Sequence, residues 1–259
     1  MPKEIILAFR PDTTDIPTIF TGAVVPIYTT SDWNQIKSLL DNQLKRYWKI
    51  AAIDNDIQSD RIQLVNKANE LGFNEIELDE QVHRESLTAS EYAELVNISR
   101  IPISVTGNQD PLYVWLETCT VKPKRVYATV YGDEIFENFK LYGLRVLREK
   151  VDEVFGVVNI ADPNVWSSQN ENFVDVIRYI YMNADGLWVW GWHTEYGPFD
   201  ERAISNWPKV KQTILELLYS EARESLIAAS REIYYMLSNF CFGVLALLMF
   251  RQMMERGRG

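Results

Sequence analysis

KIAAIDNDIQSDRIQLVNKANELGFNEIELD, residues 49–79, holds one complete strand–helix–strand unit. Lys49 to Ile53 is a short apolar run closed by Asp54-Asn55-Asp56, the composition of a buried strand entering a turn. Ser59 and Asp60 open a helix in which Ile62, Val65, Ala68 and Leu71 recur at helical spacing. Gly72 ends it, since glycine takes the left-handed backbone of a helix terminus without a Cβ clash. Asn74 to Asp79 is again a strand. Two strands joined by a helix in this way pair in parallel through a right-handed crossover.

The alternation continues outward in both directions. Towards the C-terminus, Thr88 to Ser99 reads as a helix opened by a Thr88–Glu91 capping box, and Ile101 to Val105 as a strand. Asp110 to Cys119 is a short helix, Arg125 to Val130 a strand, Asp133 to Lys150 a long helix and Val154 to Ile160 a strand. Asn172 to Met182 is a helix, Gly186 to Gly191 the last strand, and a helix runs from Ile204 to Leu218 and beyond. Towards the N-terminus, Thr30-Ser31-Asp32 caps a helix carrying Trp33, Ile36, Leu39, Leu40 and Leu44. Val24 to Tyr28 is a strand despite Pro26, and Glu4 to Phe9 is the first strand. Residues 10–23 between those two show no helical period. Eight strands alternating with helices predict an α/β chain folded as a (β/α)8 TIM-like barrel with an irregular first unit, occupying residues 1–224. A doubly wound open sheet is the competing arrangement, but no glycine-rich phosphate turn follows any strand.

Composition narrows the function. The 259 residues carry a formal net charge of −10, against the basic face a nucleic-acid partner needs. Cys119 and Cys241 fit no metal or redox spacing. With His83 and His193 the only histidines, a histidine-rich metal site cannot be built, and neither metal nor cofactor is expected. The N-terminus has no apolar signal core with a cleavage site.

In such barrels chemistry sits at the C-terminal strand ends. Those ends carry Arg10 and Asp12, Asp54 and Asp56, then Glu77, Asp79, Glu80 and Gln81. Asp110, Tyr131 with Asp133, and Asp162 follow, and Trp190, Trp192, His193 and Glu195 complete the ring. This rim is acidic and aromatic, with one arginine and no lysine. Phosphorylated substrates and Schiff-base chemistry are disfavoured accordingly. Strand alternation puts Ile76 and Leu78 towards the helices and Glu77, Asp79 and Gln81 towards the barrel. Two stacked acids repel, so one should titrate high and hold a proton; the competing reading is a set of solvated strand-end carboxylates. Trp188, Trp190 and Trp192 share one face of an extended segment, as a wall of a sugar site or as core packing.

The run GFNEIELDEQ, residues 72–81, resembles the fourth-strand motif of family-18 chitinase-like barrels. The resemblance implies that Glu77 and Asp79 are supporting acids, with Asp79 orienting an acetamido group. It puts the general-acid position on Gln81, a departure, because an amide cannot protonate a leaving oxygen. Either Glu80 takes the acid role, or the match is displaced by a residue, or the barrel binds without cutting. GLWVWGW, residues 186–192, is similar to that family's last strand, which implies Trp190 as the sugar floor and Tyr131 as a substrate contact. The expectation is a glycoside hydrolase-like barrel acting on or binding a neutral glycan, with Asp79, Glu80 and Glu77 catalytic. Trp190, Trp192, Tyr131, His193, Glu195, Asp162, Asp54 and Gln81 would bind substrate. The alternative is an inactive glycan-binding or attachment protein.

After the barrel, Ile233 to Phe250 is an uncharged run followed by Arg251, Arg256 and Arg258. As a helix it would be about 27 Å long, near the thickness of a hydrocarbon core. Residues 225–259 are therefore expected to be a hydrophobic helix that anchors a membrane-associated protein, with a buried oligomerisation helix as the alternative and homo-oligomer formation open.

Overall fold

A computed structural model describes residues 4–8, 19–160, 173–190 and 201–256. Eight parallel strands close into a barrel in chain order: β1 Glu4–Ala8, β2 Gly22–Ile27, β3 Trp48–Ile53, β4 Glu75–Leu78, β5 Ile103–Gly107, β6 Arg125–Thr129, β7 Glu153–Asn159 and β8 Gly186–Trp190. Closure is made by β1 and β8, where Glu4 pairs with Gly186 and Ile6 with Trp188. The fold is the (β/α)8 barrel that the alternation predicts. The crossover between β1 and β2 lies largely outside the described residues.

The described helices are α1 Trp33–Asn42, α2 Gln58–Leu71, α3 Ala89–Ile98, α4 Gln109–Thr118, α5 Asp133–Asn138, α6 Leu144–Arg148, α7 Phe173–Asn183 and α8 Glu201–Arg256. Their ends follow local chemistry. Asp32 accepts from the backbone N–H groups of Asn34 and Gln35 at the start of α1. Thr88 and Glu91 form the reciprocal capping box of α3, and Gly72 closes α2 at φ 86°. Two local readings change. α2 starts ahead of Ser59-Asp60, because the Asn55 side chain accepts from the Ile57 N–H at 2.8 Å and turns the chain first. The helix expected over 133–150 is broken by a π-helical turn, Phe139–Gly143, between α5 and α6. Gly143 there packs against the Gln109 side chain so closely that a Cβ would meet its Oε1 at 2.0 Å.

Inside the barrel, Ile6, Val24, Ile50, Ala52, Tyr127, Phe155, Val157 and Trp188 form a buried cluster. Below it, at the N-terminal strand ends, a charged network closes the barrel. Arg125 reaches Glu75 at 3.0 Å, Glu4 at 3.1 Å and Glu153 at 2.7 Å, with its guanidinium 4.1 Å from the Phe155 ring centroid. Glu75 also accepts from the Tyr127 hydroxyl at 2.8 Å, from the Trp48 indole at 2.9 Å and from Ser104. Burial pulls the Arg125 guanidinium down, but Tyr127, Glu75 and Glu4 outweigh it and hold it above the ordinary arginine range.

One compact unit runs from Lys3 to Ile214 and a second from Leu215 to Gly259. α8 begins in the first, where Val210 and Ile214 are buried and the Asn206 amide donates to the Ile160 carbonyl at 2.7 Å. It continues unbroken past residue 224, where the barrel was expected to end. In the second unit Leu226, Tyr235 and Phe240 are exposed. Among the described residues no helix is long and apolar enough to cross a membrane. The expected transmembrane anchor, membrane partner and membrane-associated location are corrected on that finding. Within the run itself, Tyr234, Tyr235, Ser238 and Asn239 set polar groups among the apolar side chains.

Candidate active site

The C-terminal end of the barrel is organised by β4 and the turn after it. Ile76 and Leu78 are buried in the layer between strands and helices, so Glu77 points inward and is fully buried. The Thr106 hydroxyl, on the neighbouring β5, donates to Glu77 Oε1. Among the described residues Glu77 Oε2 is buried without a hydrogen-bond partner, as is Trp188 Nε1, the inward indole N–H of β8. Burial first, then the nearby Asp79, pushes the Glu77 carboxyl well above the usual carboxylate range; Glu80 and Glu75 add to this and the Thr106 bond offsets part of it. The protonated form of Glu77 is favoured accordingly.

Asp79 and Glu80 are half-buried just beyond β4, and Glu80 stands in the left-handed backbone region at φ 52°. That conformation reverses the chain into a compact turn. The Arg84 N–H donates to the Glu80 carbonyl at 3.0 Å and the Ser86 N–H to the Gln81 carbonyl at 2.9 Å. Arg84 pairs with Asp54, reaches Asp56 at 3.3 Å and donates to the Asp79 carbonyl at 3.1 Å. Burial lowers the Arg84 guanidinium, but Asp54, Asp56 and Asp79 raise it further, so it stays charged and ties the β3 and β4 ends together.

The opposite side of the mouth is aromatic. Tyr131 and Trp190 pack on the barrel cluster with ring centroids 6.2 Å apart. Burial, reinforced by Glu80, Asp79 and Glu77, lifts the Tyr131 hydroxyl well above the ordinary tyrosine range. It is therefore a donor facing three carboxyl groups. Thr106, Thr129 and Asn159 are buried polar side chains at the ends of β5, β6 and β7, and Thr129 donates to Asn108. Among the described residues no group of three or more His, Cys, Asp or Glu side chains is arranged to hold a metal ion.

The structure brings Glu77, Asp79, Glu80, Tyr131 and Trp190 to one mouth. Asp54 is engaged by Arg84. Trp192, His193, Glu195 and Asp162 lie outside the described residues. Arg84 was missed, because a residue inside a turn has no period to expose it. Thr106 and Thr129 were missed too, although Ser104, Thr106 and Asn108, like Arg125, Tyr127 and Thr129, repeat at the strand period of two.

Gln81 lies in the turn after β4. It is fully buried, and its amide donates to the Ile53 carbonyl at 2.6 Å. The position that the chitinase resemblance assigned to a general acid is thus a structural amide pinning β4 to β3.

Neither a family model nor a curated protein matches the sequence. In fold the chain is similar to native KDPGal, at 13% identity over 83% of this chain and 96% of that one with a TM-score of 0.50. It is also similar to 3-keto-L-gulonate-6-phosphate decarboxylase from Vibrio cholerae, at 9% identity over 83% and 98% of the two chains with a TM-score of 0.48. A third is the flavin-binding domain of baker's yeast flavocytochrome b2, at 13% identity and a TM-score of 0.46, where 66% of this chain spans 48% of that one. Dihydrodipicolinate synthases also resemble it. At such identities the likeness carries the fold alone. The family-18 chitinase-like resemblance, and with it the expected glycoside hydrolase activity and glycan partner, is corrected: no family model or curated protein matches, and those solved structures are of other proteins.

Proposed function

We propose that this barrel is an enzyme of proton transfer, acting on a small organic substrate at the C-terminal mouth. Glu77 is the general acid, Asp79 and Glu80 are the carboxyl groups that take up the proton, and Tyr131 donates a hydrogen bond to the substrate beside Trp190. The observation that carries the reading is Glu77 itself, a fully buried carboxyl with one oxygen unpartnered among the described residues and a second carboxyl close by. Carboxyl groups held in different environments divide the acid and base roles between them. A buried acid left without a full set of partners is otherwise a plain cost to the fold.

The substrate class follows from charge. Among the described strand ends there is no lysine for a Schiff base, and Arg84 is engaged by Asp54 and Asp56. Among the described strand-end residues a phosphate would find no free cation. A neutral or cationic substrate suits the site, and its reaction is loss or gain of a proton at carbon or oxygen.

The test has a part that needs no substrate. Infrared difference spectra of the wild type and Glu77→Gln at pH 7 should show a protonated carboxyl band in the wild type alone; its absence sinks the acid role. A panel of uncharged and cationic carbonyl compounds in D2O, followed by NMR, should then show exchange at the carbon next to the carbonyl. Glu77→Gln and Asp79→Asn should each slow that exchange about 100-fold or more. Exchange unaffected by either variant would place the chemistry elsewhere.

A further inference from the structure

The turn that carries Asp79 and Glu80 has a second side, away from the mouth. There Val82, Leu87, Pro111, Val114 and Trp115 line a cavity of about 550 Å³ between the turn and α4. Its rim carries His83, Glu85 and Asp110. Pockets of small organic ligands have this size and this mixture, an apolar wall with a few convergent polar groups.

The cavity is built rather than incidental. Trp115 is buried, with its indole N–H on the Leu87 carbonyl at 2.9 Å and the Tyr92 ring edge-on at 5.2 Å. The turn is fastened from behind, where Ser86 donates to Asp56 at 2.6 Å and Arg61 to the Ser86 carbonyl at 2.7 Å. On the rim, the Tyr142 hydroxyl donates to Asp110 at 3.0 Å and fixes its carboxylate. The walls need no rearrangement to receive a ligand, so little ordering entropy opposes binding.

Charge selects the occupant. Two of the lining side chains are carboxylates and none is a lysine or arginine. Arg84, the nearest arginine in sequence, is engaged with Asp54 and Asp56. The geometry points to a second binding site here, distinct from the mouth, for a small organic cation: an aromatic or branched apolar body on Trp115 and Val82 with one ammonium group at Glu85 and Asp110. An anion would meet two like charges, and a neutral molecule of the same shape would forgo the charge-assisted hydrogen bonds.

Calorimetric titration of the full chain tests this with three probes of one shape, 2-phenylethylamine, 2-phenylethanol and 3-phenylpropionate. The expected result is one saturable site for the amine, with the alcohol about tenfold weaker and the propionate weaker still. Glu85→Gln and Asp110→Asn should each weaken the amine about fivefold. Val114→Trp should abolish binding by filling the cavity from an exposed helix position that the fold tolerates, checked by an unchanged circular dichroism spectrum. Glu77→Gln should leave binding unchanged, which separates this site from the proposed catalytic one. No heat from any probe, an alcohol or propionate that binds as well as the amine, or full binding in Val114→Trp would overturn the assignment.

Discussion

Glu75 and Glu77 are two residues apart on one strand, both point into the barrel and both are buried, yet they sit in opposite surroundings. Glu75, at the N-terminal end, faces Arg125, Tyr127, Ser104 and Trp48. Glu77, towards the C-terminal end, has the Thr106 hydroxyl and an unpartnered oxygen among the described residues. A buried carboxylate is tolerable when cations and donors replace its water; without them the carboxyl holds its proton instead. The lower end of the barrel is thus a closed, compensated structure, and the upper end keeps an acid in reserve. A fold that spends one glutamate on closure and leaves the next uncompensated separates stability from chemistry along a single strand.

The largest way to break this contrast is Arg125→Met. It strands Glu75 in the interior and should destabilise the fold by about 3–5 kcal/mol, read from denaturant unfolding. A loss below about 1 kcal/mol would mean that the lower network does not close the barrel.

Glu77→Gln should act in the opposite sense. Because the folded-state pKa is raised, native Glu77 binds a proton that the unfolded chain releases above its ordinary carboxylate range. The wild type therefore loses stability as pH rises from there towards the folded-state pKa, by at most about 1.4 kcal/mol per pH unit. The variant lacks that slope, so its stability relative to the wild type should grow with pH over that window. Parallel stability curves from pH 5 to pH 8 would show that Glu77 ionises freely.

Thr106→Val removes the hydroxyl that partners Glu77 and should cost about 1–2 kcal/mol while raising the Glu77 pKa further, measurable as a shift of the carboxyl titration. An unchanged titration would separate Thr106 from the acid. Thr88→Ala, which removes a helix cap remote from both glutamates, should cost about 1 kcal/mol and leave the pH dependence untouched. A changed pH profile there would show that stability changes alone mimic the effect ascribed to Glu77.

How far the fold could be read in advance is clearest from the helix ends and strand faces. Asp32, Thr88 with Glu91, and Gly72 act within one turn of their own positions, so their caps follow from neighbouring residues. The inward Glu77 follows likewise from strand alternation, and with it the expectation that one of the stacked acids holds a proton. The bond that Gln81 makes was not legible, because the carbonyl it serves is on β3, 28 residues earlier. Arg84 was passed over because its partners Asp54 and Asp56 also lie at the end of β3. The tail was read as a membrane anchor from an uncharged run, where the described helix is not apolar enough to cross a membrane.

The sequence by itself determined the kind of fold, because periods of 3.6 and 2 and the punctuation between them are local properties of the chain. Tertiary structure alone decided which acid is compensated and which is not. That choice depends on barrel register, which brings Arg125 to Glu75 across 50 residues and leaves Glu77 with a hydroxyl from the next strand. Coulombic and hydrogen-bond energies act over a few ångströms of space, whatever the distance along the chain.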